Sequence, residues 1–229
     1  TVDKVTGEPL PDAKVELVGT DGSNYSTLSD ANGGFSFEEN GKDRYIKENT
    51  SYTVRASKDQ YLVVNDQITT VGLTESTTFV KEYLLQPVIP DKPIALPEVQ
   101  FALGSAELLP AGKDSLQTLY QTMIDNPTIV IELAAHTDSR GSDKANMTLS
   151  QNRAQSCVNY LVTKGIDPAR MIAKGYGETR LRISDAEIAK MATTEEKEAG
   201  HQKNRRVEFS VKNFNYVPKT DGTAPAPAN

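Results

Sequence analysis

The sequence is poor in the residues from which metal centres and disulfides are built. Its 229 residues include one cysteine, two histidines and no tryptophan. A disulfide within the chain is therefore excluded, and no paired-cysteine or HExxH pattern indicates zinc. No apolar run approaches the length needed to cross a bilayer. The sequence thus predicts no metal, no cofactor and no membrane span in this stretch.

Charge and composition favour neither nucleic acid nor catalysis. The net charge is −6, whereas phosphate binding requires a basic surface. Cys157 falls on the apolar stripe of a predicted helix, which favours a buried thiol over a nucleophile. His136 and His201 form no catalytic cluster, and His136 is expected to orient the turn around Asp138. We expect a binding protein and no enzyme, in a fragment whose targeting sequence lies upstream of Thr1.

Two halves of the chain differ in texture, and a proline-rich segment separates them. Residues 1–86 carry short alternating runs between turn clusters, which predicts an all-β sandwich. Three prolines make residues 87–95 a stiff extended linker. Residues 96–216 are predicted to form the second domain. The Pro/Ala/Thr-rich residues 217–229 are predicted to be a disordered tail.

The second half alternates between strands and helices, which predicts a two-layer α/β domain with the order βαβαβ. The first strand is placed at Val99 and Phe101, and Pro110 suits the first turn of the helix that follows. Residues 129–135 are nearly continuously apolar, as expected of a strand in the interior of a sheet.

The second predicted helix has signals at both ends. It begins near Ser142–Lys144, and Gly165 fits its C-terminal cap. Its predicted buried stripe consists of Ala154, Cys157, Val158, Leu161 and Val162. Residues 184–198 contain good helix formers and few large apolar residues, which predicts an extra helix. A final strand alternates from Val207 to Val211.

A charged constellation is predicted where the central strand meets the second helix. Asp138 follows the C-terminal end of that strand. Four residues of the helix share one face at spacings i, i+3, i+4 and i+7: Asn146, Leu149, Ser150 and Arg153. Asp138 can accept from an ammonium, and Arg153 can hold a carboxylate through two parallel hydrogen bonds, which suits an amino-acid head group. From spacing alone, pairing of the two side chains with each other, or solvation of both, stays open.

The second half carries an ordered set of motifs: His136-Thr137-Asp138, Asn146, Leu149-Ser150, Arg153-Ala154, Gly175-Tyr176-Gly177-Glu178 and Asn204-Arg205-Arg206. This set resembles the C-terminal family of OmpA, which includes the Pal lipoproteins and the stator protein MotB. The resemblance implies non-covalent binding of the peptide stem of peptidoglycan, with Asp138 and Arg153 clasping diaminopimelate. It also implies that Thr137, Asn146 and Leu149 line the pocket.

The sequence departs from that family at several positions. Ala135 stands where the family usually has Gly, and Gly200-His201-Gln202 replaces a usual Gly-Arg-Ala. The longer segment at 184–198 is expected at the rim of the domain, where it alters pocket access or partner choice. Arg205 shares strand parity with apolar residues, which favours a structural arginine that bridges carbonyls or a carboxylate. Arg206 is expected to be exposed.

Residues 1–86 carry an ordered set of motifs: Thr6–Val15, Ser29–Phe35, Tyr52–Val54 and Tyr61. This set resembles the carboxypeptidase regulatory-like domain, which implies a transthyretin-like sandwich that serves as a spacer or interaction module. Asp30 and Asn32 are interpreted as part of a tight turn and not as a calcium site. The pairing of the two domains resembles envelope proteins of Bacteroidetes, among them the peptidoglycan-binding component of the type IX secretion system.

Three functional hypotheses follow from these observations. The first is a periplasmic module, attached to the outer membrane in the full-length protein, that anchors envelope or secretion-complex proteins to peptidoglycan. The second is a protein–protein scaffold with a degenerate peptidoglycan site, whose working surfaces are residues 184–198 and the sandwich. The third, a hydrolase, lacks any catalytic cluster to support it.

Overall fold

The structure is a computed structural model that describes residues 1–40 and 43–218. Of the predicted tail, residues 219–229 lie outside the described residues. Contacts divide the chain into two compact units, Thr1–Ile89 and a second unit that begins at Pro90. Within the described ranges, no helix has the length and apolar character needed to cross a membrane.

The first unit is built from β-strands around one apolar core. Its strands are β1 (Val2–Asp3), β2 (Lys14–Gly19), β3 (Asn24–Leu28), β4 (Glu39–Asn40), β5 (Asp43–Arg44), β6 (Ser51–Ser57), β7 (Val64–Thr69) and β8 (Leu84–Leu85). An antiparallel sheet has the order β3-β2-β6-β7, while β1 pairs with β8 in parallel and β4 pairs with β5. Val15 faces Ala56 across the sheet, and Leu17 faces Val54. All four side chains are buried because alternate residues of a strand point to the same face.

A tight turn occupies residues 30–34 of the first unit. Asp30 Oδ1 accepts the backbone N–H groups of Asn32 and Gly34, both at 2.8 Å. Gly33 adopts φ +71°, a conformation that glycine reaches without steric cost. The interpretation of Asp30 and Asn32 as turn residues is therefore confirmed.

The second unit is a mixed α/β structure. Its elements are β9 (Ile94–Ala95), α1 (Pro110–Asp125), β10 (Val130–His136), α2 (Asp143–Thr163), a 3-10 turn (Pro168–Arg170), β11 (Met171–Gly177), α3 (Asp185–Ala189), α4 (Thr194–Asn204) and β12 (Val207–Asn213). The sheet order is β11-β10-β12-β9. β10 runs parallel to β11 and antiparallel to β12. The apolar segment at 129–135 thus forms an interior strand, as predicted.

One face of this sheet is uniformly apolar. Ile131, Leu133 and Ala135 of β10 are fully buried, and their partners on β12 are Val211, Phe209 and Val207. The intervening residues point to the opposite face, since side chains alternate along a strand. That second face carries polar groups, among them Glu132, His136 and Glu208.

Helix α2 begins and ends where its local sequence signals lie. The Ser142 hydroxyl accepts from the backbone N–H of Ala145 and caps the first turn. At the other end, Gly165 at φ +96° donates to Val162 O, and Ile166 donates to Leu161 O, which is a Schellman cap. The stripe from Ala154 to Leu161 is buried as predicted. Val162 is 38% exposed, so its assignment to the stripe was wrong.

Helix α2 packs tightly against β11 because the strand has a glycine, Gly175, at the point of contact. A Cβ atom on Gly175 would fall 2.2 Å from the backbone nitrogen of Gln151, closer than any side chain tolerates. The hydroxyl of Ser150 accepts from the backbone N–H of Gly177 at 2.8 Å. These contacts fix the N-terminal half of α2 beside the end of the sheet.

The C-terminal end of α1 is held by a buried arginine. Arg170 is 6% exposed, and its guanidinium donates to the carbonyl oxygens of Met123, Asn126 and Ile129 at 2.7–3.1 Å. Carbonyl groups at a helix end have no partner within the helix, so a buried donor must supply one. Arg170 therefore ties the end of α1 to the loop that enters β10.

Two predicted elements differ from the structure. The first strand of the second unit is the two-residue β9, and the prediction of a strand at Val99 and Phe101 was wrong. Phe101 instead forms an isolated bridge to Leu108 at the neck of a loop, and Ala102 donates to Glu107 O. The segment 184–198 contains α3 and the first turns of α4 in place of the single predicted helix. Each of these two helices begins with its own capping box.

Candidate functional site

The candidate site lies at the edge of the sheet where β10 and β11 end and β12 begins. His136 donates its backbone N–H to Arg206 O, and Thr137 donates to Gly177 O, both at 2.9 Å. The chain then leaves the sheet between its two neighbours and reaches α2 at Ser142. This loop carries Asp138 into the interior, where its side chain is only 8% exposed.

Asp138 is paired on one side by two arginines. Its Oδ2 accepts from Arg140 Nε and Nη2 at 3.1 and 2.6 Å and from Arg205 Nη1 at 2.6 Å. Its Oδ1 accepts the backbone N–H of Arg140 at 3.1 Å. Burial alone would raise the pKa of Asp138, but the hydrogen bonds from Arg140 and Arg205 outweigh it and hold the pKa below the usual value. Asp138 is therefore ionised at neutral pH.

Arg153 lies on α2 and is oriented by a different loop. Its Nε donates to the carbonyl of Ser105 at 2.9 Å, and its Cζ lies 4.9 Å from the centre of the Phe101 ring. Among the described residues, neither Nη atom of Arg153 donates a hydrogen bond, and Arg153 forms no ion pair with Asp138. Burial and the charge of Arg205 lower the pKa of Arg153, while the charge of Asp138 raises it. Arg153 is thus held in place with both terminal nitrogens available.

Asn146 shapes the loop on which Asp138 sits. Its Nδ2 donates to the carbonyls of Asp138 and Arg140, both at 3.2 Å, and to Glu178 Oε2 at 2.5 Å. Thr137 is buried, and its hydroxyl has no partner among the described residues. Leu149 is half-buried on α2, one turn before Arg153. The five predicted site residues thus lie on one loop and on the helix that follows it.

Arg140, Arg205 and Glu198, none of which was predicted as a site residue, complete the cluster. Arg140 and Arg205 each direct one edge of the guanidinium to Asp138 and the other to Glu198. Glu198 belongs to α4, so the predicted insertion reaches the site itself. The hydroxyl of Ser139 also donates to Asp185 at the start of α3. Short-range signals mark only Arg140, which follows Asp138 by two residues.

The two adjacent arginines, Arg205 and Arg206, serve different carboxylates. Arg205 caps the C-terminal end of α4 and bridges Asp138 and Glu198, which confirms the prediction of an arginine held by carboxylates. Arg206 pairs with Glu208 at 3.0 Å, and its side chain is 13% exposed. The expectation that Arg206 is exposed was therefore wrong, because Glu208 and the carbonyls of Asn204 and Arg180 hold its guanidinium.

His136 and Glu208 stabilise the strand end from which Asp138 emerges. The His136 ring stacks on Tyr176 with centroids 5.3 Å apart, and its Nε2 lies 3.1 Å from Glu208 Oε1. Burial lowers the pKa of His136 and favours the neutral ring. Burial opposes ionisation of Glu208, but His136 and Arg206 outweigh it and lower its pKa from 4.5 to about 2. The ring of His136 thus fixes the end of β10 from which Asp138 emerges.

The cysteine takes no part in this site. Cys157 is fully buried on α2, and burial raises the pKa of its thiol to about 12. A thiol with that pKa holds almost no thiolate at neutral pH, and the thiolate is the nucleophile. The prediction of a buried, unreactive thiol is confirmed.

Comparison with known proteins shows what this part of the chain is similar to. Residues 100–195 match the model of the OmpA family. These residues are similar to that family. OmpA-like domains bind peptidoglycan, anchor envelope complexes and are not enzymes. Asp138, Arg140, Asn146 and Arg153 all lie inside the matched residues, whereas Glu198 and Arg205 lie beyond them.

Individual relatives share the same stretch. The chain is 39% identical over 114 residues to outer membrane porin F of Pseudomonas fluorescens, covering 50% of this chain and 32% of that protein. It is 34% identical over 113 residues to the probable lipoprotein YiaD of Escherichia coli strain K12, covering 49% and 47%. The chain therefore spans less than half the length of these curated relatives. The solved cell wall anchor of the T6SS from Pseudomonas aeruginosa is 26% identical, with a TM-score of 0.40, covering 51% of this chain and 75% of that chain.

Proposed function

We propose that residues 96–216 bind peptidoglycan non-covalently through the diaminopimelate of its stem peptide. The observation that carries this proposal is the state of Arg153. Its Nε is fixed by Ser105 O, neither Nη atom has a partner among the described residues, and the charge of the ionised Asp138 acts on the guanidinium. We call the space between these two side chains the cleft. A guanidinium held in this way presents two parallel donors at the geometry of a carboxylate.

The charges of the cleft fit a zwitterionic head group. Arg153 takes the carboxylate of diaminopimelate. Asp138 takes the ammonium through Oδ1, since the guanidinium contacts all fall on Oδ2. Thr137, Asn146 and Leu149 line the cleft, with Asn146 keeping Asp138 in place through the backbone of the loop.

Anchoring is the second part of the proposal. In the full-length protein the domain fixes an envelope assembly to the cell wall from the periplasm, with attachment at the outer membrane. Residues 1–86 act as a carboxypeptidase regulatory-like module of transthyretin-like fold. The predicted linker at 87–95 joins it to the second unit, but its last two residues, Ile94 and Ala95, belong to the sheet of that unit as β9. The all-strand composition of the described residues of the first unit supports that fold. We place the assembly in type IX secretion, on the domain order alone.

Sedimentation with purified sacculi tests the proposal. Asp138→Asn and Arg153→Met should remain in the supernatant, because each removes one charge of the clasp while keeping its approximate size. Arg180→Met provides the matched control, since Arg180 stacks over the ring of Tyr176 at 3.8 Å and should sediment like wild type. If both site variants sediment as well as wild type, the proposed site is wrong.

A scaffold role is the second candidate, and the pairing of Asp138 favours it. A carboxylate already bound by two arginines resembles a structural ion-pair network. The working surfaces would then be residues 184–198 and the first unit, which contains a cavity of about 650 Å³. Removal of residues 184–198 should abolish a protein complex while sacculus binding persists if both roles coexist. A complex that survives this deletion would exclude that segment as the scaffold surface.

A further inference from the structure

At the outer edge of the Asp138 cluster, two arginines bind the carboxylate of Glu198 in a way that would also suit the carboxylate of a ligand. Arg140 donates from Nη1 and Nη2 to the two oxygens of Glu198 at 2.9 and 3.3 Å. Arg205 Nη2 donates to Glu198 Oε1 at 2.7 Å. Two guanidinium groups thus grip one carboxylate, which is the arrangement used to recognise carboxylate ligands.

The two carboxylates of this cluster differ in how firmly they are held. The Asp138 side chain is 8% exposed, whereas that of Glu198 is 52% exposed. Ion pairs that face solvent contribute little net free energy, because water competes for both partners. A ligand carboxylate can therefore replace Glu198 at small cost, while Asp138 stays in place and continues to orient both arginines.

Room for such an exchange exists beside Glu198. A hollow of about 450 Å³ lies along α4 and is lined by Thr194, Glu195, Glu198, Ala199, Gln202 and Arg205. Gln202 accepts a hydrogen bond from Arg205 Nη2 and donates one to Glu98, so Arg205 keeps a second support when Glu198 leaves. The arginine pair is thus preorganised without Glu198.

We propose that Arg140 and Arg205 form a second carboxylate subsite, which Glu198 occupies in the free protein and the C-terminal carboxylate of a stem peptide occupies in the complex. This inference rests on the proposed function, since the peptide must first be held by Arg153 and Asp138. The insertion then sets the affinity of the site, because α4 supplies the competing carboxylate. Removing that competitor should strengthen binding.

Titration of Glu198→Gln with two synthetic muropeptides tests the subsite. Both carry the same diaminopimelate, but one has a free C-terminal carboxylate and the other a C-terminal amide. The variant should bind the free-acid peptide about three- to ten-fold more tightly than wild type. It should show no gain for the amide, because the amide lacks the group that competes with Glu198.

The control is Glu195→Gln, which removes the same charge one turn earlier on α4. It should match wild type for both peptides, and circular dichroism should show that both variants are folded. Equal affinity, weaker affinity or an equal gain for both peptides would overturn the subsite while leaving the wall-binding proposal intact. Absence of binding by wild type and variant to either peptide would instead overturn both.

Discussion

Two arginines of the second unit are shielded from water, but they have different roles. Arg170 lies at the base of the domain and donates to three backbone carbonyls. Arg153 lies in the cleft and donates to one carbonyl, that of Ser105. Burial lowers the pKa of both groups, so both bear a cost of desolvation. The two arginines differ in how many hydrogen bonds their guanidinium groups donate within the protein.

This difference gives a physical meaning to a binding residue. A buried charge that donates to several backbone carbonyls stabilises the fold, because removing it takes donors away from those acceptors. A charge fixed by one contact, with its remaining donors facing a cleft, contributes little to the fold and can bind a ligand without rearrangement.

The largest effect is expected from Arg170→Met. It removes the guanidinium donor from the carbonyls of Met123, Asn126 and Ile129 and should lower the free energy of unfolding by about 3–4 kcal/mol. Arg153→Met should lower it by about 1 kcal/mol or less. Urea unfolding followed by helical circular dichroism measures this, because helices α1–α4 all lie in the second unit. Equal losses in the two variants would break the comparison.

Lowering the pH should destabilise the folded chain through protonation of Glu208. The pKa of Glu208 is about 2 in the folded chain and about 4.5 when unfolded, so its stabilisation is present above pH 4.5 and lost as the pH falls towards 2. That stabilisation amounts to about 3 kcal/mol at most. The lowered pKa of His136 acts in the same direction below its ordinary value.

Glu208→Gln isolates this contribution. The variant should be less stable than wild type at neutral pH, and the gap should close as the pH falls from about 5 to about 2, because wild type then loses its own ionised carboxylate. Urea unfolding at several pH values measures the gap. A gap that stays constant with pH would show that Glu208 does not carry the stabilisation assigned to it.

The smallest effect is expected from Arg153→Lys. Lysine keeps the charge but loses the planar pair of donors, so affinity for a diaminopimelate muropeptide should fall about ten-fold while the free energy of unfolding changes little. Isothermal titration measures the affinity, with Arg180→Lys as the matched substitution that should bind like wild type. Unchanged affinity would show that the cleft needs only a positive charge at this position.

Local signals in the sequence predict much of the second unit. Ser142 and Gly165 bound α2 because caps act through neighbouring residues, and the apolar run at 129–135 marks an interior strand. The two-residue β9 escaped prediction because its pairing with β12 specifies it: Ile94 lies opposite Phe209, and Ala95 opposite Glu208. A strand defined by a partner more than a hundred residues away leaves little trace in its own sequence.

The candidate site likewise contains residues that the sequence predicts and contacts that it does not. The helical spacing from Asn146 to Arg153 placed both on one face of α2, above the loop of Asp138. The partners of Asp138 and Arg140 could not be predicted, because Arg205 reaches Asp138 across 67 residues and Glu198 reaches Arg140 across 58. At Arg205 the predicted carboxylate contacts were right although the residue ends α4 and lies outside β12, which begins at Val207; at Arg206 the predicted exposure was wrong.

A crystal structure of the chain with a diaminopimelate muropeptide tests the central claim most directly. The account predicts a diaminopimelate carboxylate within about 3 Å of both Nη atoms of Arg153, with the ammonium at Asp138 Oδ1. A muropeptide bound elsewhere, or a complex in which the Nη atoms of Arg153 contact only protein or water, would contradict it.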